Sequence, residues 1–204
     1  MDITERIRNR YNKNAKYYDL MEYMMGKGNM NQWRESLWKD VEGKVLEVGV
    51  GTGRNIMYYP EGAEVTGIDF SEKMLEKARE KAEKLDKNVE LRLMDVENLD
   101  FPDNMFDTVV TTCVFCSVPN PIKGLEEIKR VCKKDGKILM LEHVRSKGKI
   151  MGPVMDFFNL LTVRIVGANI NRDTITNLKH AGLKVEMNNN LMADIVKYIK
   201  CSRN

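Results

Sequence analysis

Two rhythms of apolar positions alternate along this chain. Short runs dense in β-branched and aliphatic residues, at 44–48, 64–69, 89–93, 106–114 and 137–142, read as strands of a buried parallel sheet. Intervening stretches at 55–59, 72–85 and 121–133 read as helices. Punctuation agrees with these limits: Pro60 and Gly62 stop the first helix, Ser71 is placed as the N-cap of the second, and Asp135-Gly136 turns the chain into the strand at 137. Strand and helix in alternation predict an α/β fold around a parallel sheet with right-handed crossovers. Near the end, Asp173 is placed to cap a helix running to Ala181, Gly182 ends it, and strands follow at 183–188 and 194–201.

Two segments depart from the alternation. In residues 1–42, Tyr18, Met21 and Met25, and again Arg34, Leu37 and Trp38, fall at helical spacing, which predicts two or three short helices covering the main domain. A sharper reading brings a tyrosine among Tyr11, Tyr17 and Tyr18 against a ligand. Residues 145–172 form a glycine-punctuated apolar segment in which Arg145, Lys147, Lys149, Arg164 and Arg172 face a single acid, Asp156. It suits a packed insertion, the roof of a lipophilic pocket, or peripheral contact with an anionic membrane surface.

Composition narrows the class. With 204 residues, 43% of them hydrophobic, the chain is expected to form one domain over 1–204. A net charge of +3 without a basic stripe gives no reason to expect nucleic acid. The charged start and the lack of any apolar run near the roughly 20 residues that cross a bilayer predict a cytoplasmic protein. Cys113, Cys116, Cys132 and Cys201 lack the company of histidines or a second Cys pair, so reduced thiols and no metal are expected. Oligomeric state leaves no signal.

Chemistry concentrates at residues 44–55, where a strand ends in Gly49, Gly51 and Gly53. Glycines at alternate positions let the backbone turn sharply and let a ligand lie against its N–H groups. A phosphate-binding P-loop is excluded, because no Gly-Lys-Ser/Thr follows; the dinucleotide fingerprint fails at Arg54, where its third glycine belongs. Asp69 closes the next strand 20 residues beyond Gly49, near the spacing that puts a carboxylate on ribose hydroxyls, and Asp95 stands at the end of the third strand.

At this point the chain resembles the class I S-adenosylmethionine-dependent methyltransferases. The resemblance rests on Val-Leu-Glu-Val-Gly-Val-Gly-Thr-Gly at 45–53, Val-Thr-Gly-Ile-Asp-Phe-Ser-Glu-Lys-Met-Leu at 65–75 and Phe-Asp-Thr-Val-Val at 106–110. It implies a Rossmann-like fold: a mostly parallel seven-stranded sheet with helices on both faces and an antiparallel C-terminal strand. It implies S-adenosylmethionine as cofactor, with its methionine part against Gly49, Gly51 and Gly53. Asp69 is then expected on the ribose, Phe70 and Met74 beside the adenine, Asp95 on its amino group, Val96 as a backbone donor, Cys113 at the methyl-donor end, Glu47 in support of the loop, and Tyr18 as a further contact.

The acceptor is less legible. His143, at the tip of the fifth strand, is the candidate base, with a structural histidine bonded to backbone as the plainer alternative; His180 reads as a surface or capping residue. Val-Phe-Cys-Ser-Val at 114–118, Leu-Glu-His-Val at 141–144 and Asn-Ile-Asn-Arg-Asp-Thr at 169–174 resemble the branch of ubiquinone/menaquinone, phosphatidylethanolamine and thiol methyltransferases. That resemblance implies a small-molecule or lipid acceptor, a phospholipid amino head group first and a small thiol or quinone ring second. A protein that binds the cofactor without turnover is the reading of a different class.

Overall fold

The computed structural model describes residues 3–25, 29–165 and 167–203, without the side chains of 16–25. Seven strands build one sheet: β1 (Lys44–Val48), β2 (Glu64–Asp69), β3 (Glu90–Leu93), β4 (Phe106–Thr112), β5 (Cys132–His143), β6 (Leu183–Met192) and β7 (Val196–Arg203). Their order is β3-β2-β1-β4-β5-β7-β6. β1 to β5 pair in parallel, and β7 runs antiparallel to β5 and β6. The mostly parallel sheet with an antiparallel final strand is therefore the fold the chain adopts.

Side-chain alternation explains why the central strands are largely apolar. Val109, Ile138 and Met140 face Leu125 and Ile128 of α4 (Pro121–Val131), whereas Val110, Leu139 and Leu141 face Leu75 and Ala78 of α3 (Glu72–Lys84) and Leu37 and Trp38 of α2 (Met30–Lys39). Both faces are covered, so both sets of alternate positions are mostly apolar, with Glu47, Thr66, Thr108, Thr111 and Glu142 among the buried polar exceptions; each buried aliphatic side chain contributes about 1.5–3 kcal/mol. Helix starts are capped as the residue types require. Ser71 Oγ accepts from Met74 N at 3.3 Å, and Asp173 Oδ1 from Thr176 N at 3.1 Å at the head of α6 (Thr174–His180).

Several expected elements come out differently. Residues 55–59 do not continue as an α-helix; they make one 3₁₀ turn, Ile56–Tyr58. Few residues separate Gly53 from Pro60, too few to offset the cost of nucleating a helix. The amino-terminal cover is one helix of 23 residues, α1 (Ile3–Met25), followed by α2, since no proline or glycine interrupts 3–25. α4 stops at Val131 because Cys132 already pairs with Phe106 in the sheet. The segment 145–172 contains a helix of its own, α5 (Met151–Ile165). β6 runs four residues further than expected, to Met192, and β7 lies two residues later than expected, at Val196–Arg203, as each supplies the other's hydrogen bonds.

Strand order reverses at β1, with β2 on one side and β4 on the other. In open α/β sheets such a switch point opens a crevice beyond the carboxyl ends of the strands.

Candidate active site

The glycine turn forms the floor of that crevice. Gly49 N and Val50 N donate to the carbonyl of Ile68 at 2.8 and 2.9 Å, which pins the turn to β2. Gly49 has φ +69°, and a Cβ there would lie 2.5 Å from Val114 Cγ2, so only glycine fits. Gly51 is different: a Cβ would meet nothing nearer than 4.0 Å, so its backbone is bare toward the cavity. Gly53 lies behind the turn, where a Cβ would come 3.1 Å from Ala78 Cα of α3.

Beneath the turn Glu47 is buried and holds it. Its carboxylate accepts from Asn55 Nδ2 at 2.6 Å and from the Tyr59 hydroxyl, and Arg34 Nη1 donates to Asn55 Oδ1 at 2.9 Å. Burial pushes Glu47 up to about 6, although these hydrogen bonds pull the other way. At the tip of β2, Asp69 Oδ2 accepts from Gly51 N and Oδ1 from Ser71 N, both at 2.9 Å. Burial raises Asp69 to about 6 as well, against the same backbone bonds. Each oxygen of a carboxylate offers more than one acceptor site, so Asp69 keeps capacity for a ligand.

A cavity open to solvent lies against these groups. Its wall brings together Gly49, Gly51, Asp69, Phe70, Met74, Asp95, Val96 and Cys113 from the residues expected at the cofactor. Glu47 and Gly53 stand behind the wall, and the side chain of Tyr18 lies outside the described residues. Cys113, the first residue past β4, holds φ +55°, an uncommon conformation for a residue with a side chain.

His143 is not on this wall. Its Nδ1 is buried without a hydrogen-bond partner among the described residues. Burial lowers its pKa, and a hydrogen bond to the backbone of Ile170 opposes the shift, so the ring is neutral near pH 7.

Other wall residues carried weaker sequence signals. Tyr11, weighed only as one of three tyrosines, reaches the cavity from α1; its ring meets Phe70 edge-on at 5.5 Å and its hydroxyl hydrogen-bonds with Ser117 Oγ at 2.5 Å. Burial lifts the Tyr11 hydroxyl well above its ordinary value, which keeps it protonated. Thr112, Val114, Ser117 and Val118 also line the wall, and their position at the carboxyl end of a strand beside the switch point is the signal that finds them. Thr4 had none, because its approach depends on where α1 lies across the sheet.

A buried carboxylate, a bare glycine backbone and the apolar flank of Phe70, Met74 and Val96 make a donor set that fits a nucleoside carrying a charged tail. Among the described residues no group of His, Cys, Asp or Glu could hold a metal ion, and the four cysteines form no disulfide.

Comparison with known proteins agrees with this geometry. A family model described as a methyltransferase domain matches residues 46–140. The phosphatidylethanolamine N-methyltransferase of Cereibacter sphaeroides is 49% identical over 111 residues, 53% of this chain and 55% of that enzyme, so the match spans little more than half of that relative. The ubiquinone/menaquinone biosynthesis C-methyltransferase UbiE of Citrifermentans bemidjiense is 30% identical over 178 residues, 82% of this chain and 76% of the relative. The crystal structure of a SAM-dependent methyltransferase from Thermotoga maritima superposes with a TM-score of 0.72 at 19% identity, covering 96% of this chain and 99% of that one, which speaks for the fold. Glycine turn, buried acid and matched relatives converge: the chain belongs to the S-adenosylmethionine-dependent methyltransferases, and S-adenosylmethionine is its cofactor.

Proposed function

We propose that this enzyme methylates a lipophilic acceptor at a membrane surface, with the amino head group of a phospholipid as the favoured substrate. The observation that carries this reading is α5. Only Gly152 and Met155 of this helix are buried. Ile150, just ahead of it, is 80% exposed, Phe157 77% and Leu160 79%, with Val154, Leu161 and Ile165 also bare. Lys147 and Lys149 precede the helix in the chain and Arg164 stands in its last turn, all three exposed. An apolar helix edged by cations suits shallow insertion into an anionic bilayer. No helix among the described residues is long and apolar enough to cross a membrane, so contact through α5 is peripheral in this reading.

Hydrogen bonds tie that helix to the cavity. Arg10 Nη1 of α1 donates to Val163 O at 2.6 Å, next to Tyr11 on the cavity wall. Asn159 Oδ1 accepts from Ile170 N at 2.9 Å, and the neighbouring Asn169 N donates to Cys116 O at 2.7 Å. A lipid reached by α5 is thereby close to the wall formed by Cys113 and Ser117.

In this reading residues 1–204 act as one methyltransferase domain, with 1–42 as cover and 145–172 as the acceptor side. Gly49 and Gly51 receive the methionine part of the cofactor, Asp69 its ribose hydroxyls and Asp95 the amino group of its adenine; Phe70 and Met74 border the adenine, Val96 supplies a neighbouring backbone N–H, and Cys113 lines the donor end. S-adenosylmethionine supplies an activated methyl group when bound. The protein's part is to orient the acceptor and exclude water, with Tyr11 and Phe70 closing one side. Apolar surroundings disfavour the ammonium form, so a head-group amine enters neutral.

Ring C-methylation of a quinone precursor is the second reading, supported by the longer match to UbiE. A screen of labelled methyl transfer across phosphatidylethanolamine vesicles, a demethylated quinone and small thiols decides between them. Label appearing first in the phospholipid is the expected result; label confined to quinone or thiol overturns it.

A further inference from the structure

Residues 113–118 leave β4 without joining any helix or strand, yet Cys113, Val114, Ser117 and Val118 line the cavity. Backbone groups of a loop beneath the surface need partners, and here they come largely from three outlying side chains. One is Glu142 of β5, fully buried, whose Oε1 accepts from Val114 N at 3.1 Å and whose Oε2 accepts from Phe115 N at 3.3 Å. The same carboxylate takes Thr111 Oγ1 at 2.8 Å. Another is Arg172, whose Nε donates to Phe115 O at 3.1 Å and whose Nη2 donates to Val118 O at 2.9 Å. Asn169 adds two donations to the carbonyl between them, from N at 2.7 Å and from Nδ2 at 3.2 Å to Cys116 O.

We propose that Arg172 is a positioning residue for methyl transfer: its guanidinium fork fixes the height of loop 113–118, and so the distance of the acceptor wall from the glycine turn and Asp69. This rests on the reading of the cavity as the site of transfer. The fork matters because two carbonyls three residues apart must be held at once; a lysine is a single rotating point donor and cannot reproduce that geometry. Arg172 and Asn169 lie outside the regular elements, just before α6, and neither lines the cavity. Their effect on the reaction therefore passes through the loop. It also gives the Asn-Ile-Asn-Arg-Asp-Thr motif its physical content: Asn169 and Arg172 grip the loop, and Asp173 caps α6.

The test compares the whole protein with its Arg172→Lys variant by calorimetric titration of S-adenosylmethionine, labelled methyl transfer to phosphatidylethanolamine vesicles, and backbone hydrogen exchange. Cofactor affinity is expected to stay within about twofold, while kcat falls roughly tenfold or more, because small misplacement of reacting groups costs rate without costing binding. Exchange is expected to quicken at Val114 and Phe115 and to stay unchanged at 49–53. A kcat within about twofold of the parent, a cofactor affinity that falls in step with kcat, or faster exchange spread through β1 and β4 overturns the proposal. If Arg172→Lys does not fold, Asn169→Ala removes only the side-chain donor to Cys116 O and is expected to show the same pattern on a smaller scale. If the parent binds cofactor yet leaves the vesicles unlabelled, the acceptor reading falls. The exchange pattern still decides the grip: changes confined to 113–118 uphold it, and changes spread through the sheet refute it.

Discussion

Asp69 is the residue on which the proposed cofactor site depends most. It is buried, engaged by two backbone N–H groups, and raised to about 6 by desolvation. Replacing it with alanine is expected to weaken S-adenosylmethionine binding by roughly tenfold to a hundredfold, the loss of hydrogen bonds to a charged group, while the far-ultraviolet circular dichroism is retained. Unchanged affinity in a titration would remove Asp69 from the site. The pH dependence has a definite sign. In the proposed site the ribose hydroxyls donate to the ionised carboxylate, so affinity should be highest above pH 6 and fall by about tenfold per unit well below it. A neutral His143, off the cavity wall, leads to a contrasting expectation. His143→Gln should keep methyl transfer within about threefold, whereas loss of a general base costs on the order of a hundredfold or more. At this scale the acids and glycines were legible because their chemistry is local to strand ends. The Tyr11–Ser117 pair was not, since the two residues stand far apart in the chain and meet only across the cavity.

Among the elements, α5 makes the sharpest expectation. Phe157→Glu together with Leu160→Glu should leave the melting temperature nearly unchanged, because both side chains are already bare. The same change should reduce retention on vesicles containing anionic lipid by more than tenfold, given about 1.5–3 kcal/mol for each large apolar side chain withdrawn from contact. Salt should weaken retention of the parent, through Lys147, Lys149 and Arg164. Vesicles that fail to sediment the parent protein at low salt would defeat the membrane reading. The apolar character of 145–172 was visible in the sequence, but whether it faced inward or outward was not. Periodicity reports which residues share a face, and only the packing of Gly152 and Met155 says which face is turned to the protein.

For the whole molecule, buried carboxylates set the response to pH. Glu47 and Asp69 are raised to about 6 and Glu142 to about 7, each by burial and against its hydrogen bonds. A folded-state value above the unfolded one contributes stability that is complete below the unfolded pKa and is lost as pH rises through the folded pKa. The free protein should therefore melt higher near pH 5 than near pH 8, by an amount on the order of a few kcal/mol at most. Thermal scans without cofactor check this, and a melting temperature that rises over that interval would refute it. The exposed acids with lowered pKa, such as Asp156 at about 2, act below this window. By itself the sequence determined the alternation of strand and helix, the parallel sheet, the glycine turn and the acids at strand ends. Those follow from steric and solvation rules that act within one strand-turn-helix unit. Only the tertiary structure decided that α1 brings Tyr11 to the cavity, that Arg172 and Glu142 both hold the same loop, and that α5 turns its apolar side outward. Each joins residues whose separation along the chain is large, and their meeting depends on where whole elements pack, which no local pattern records.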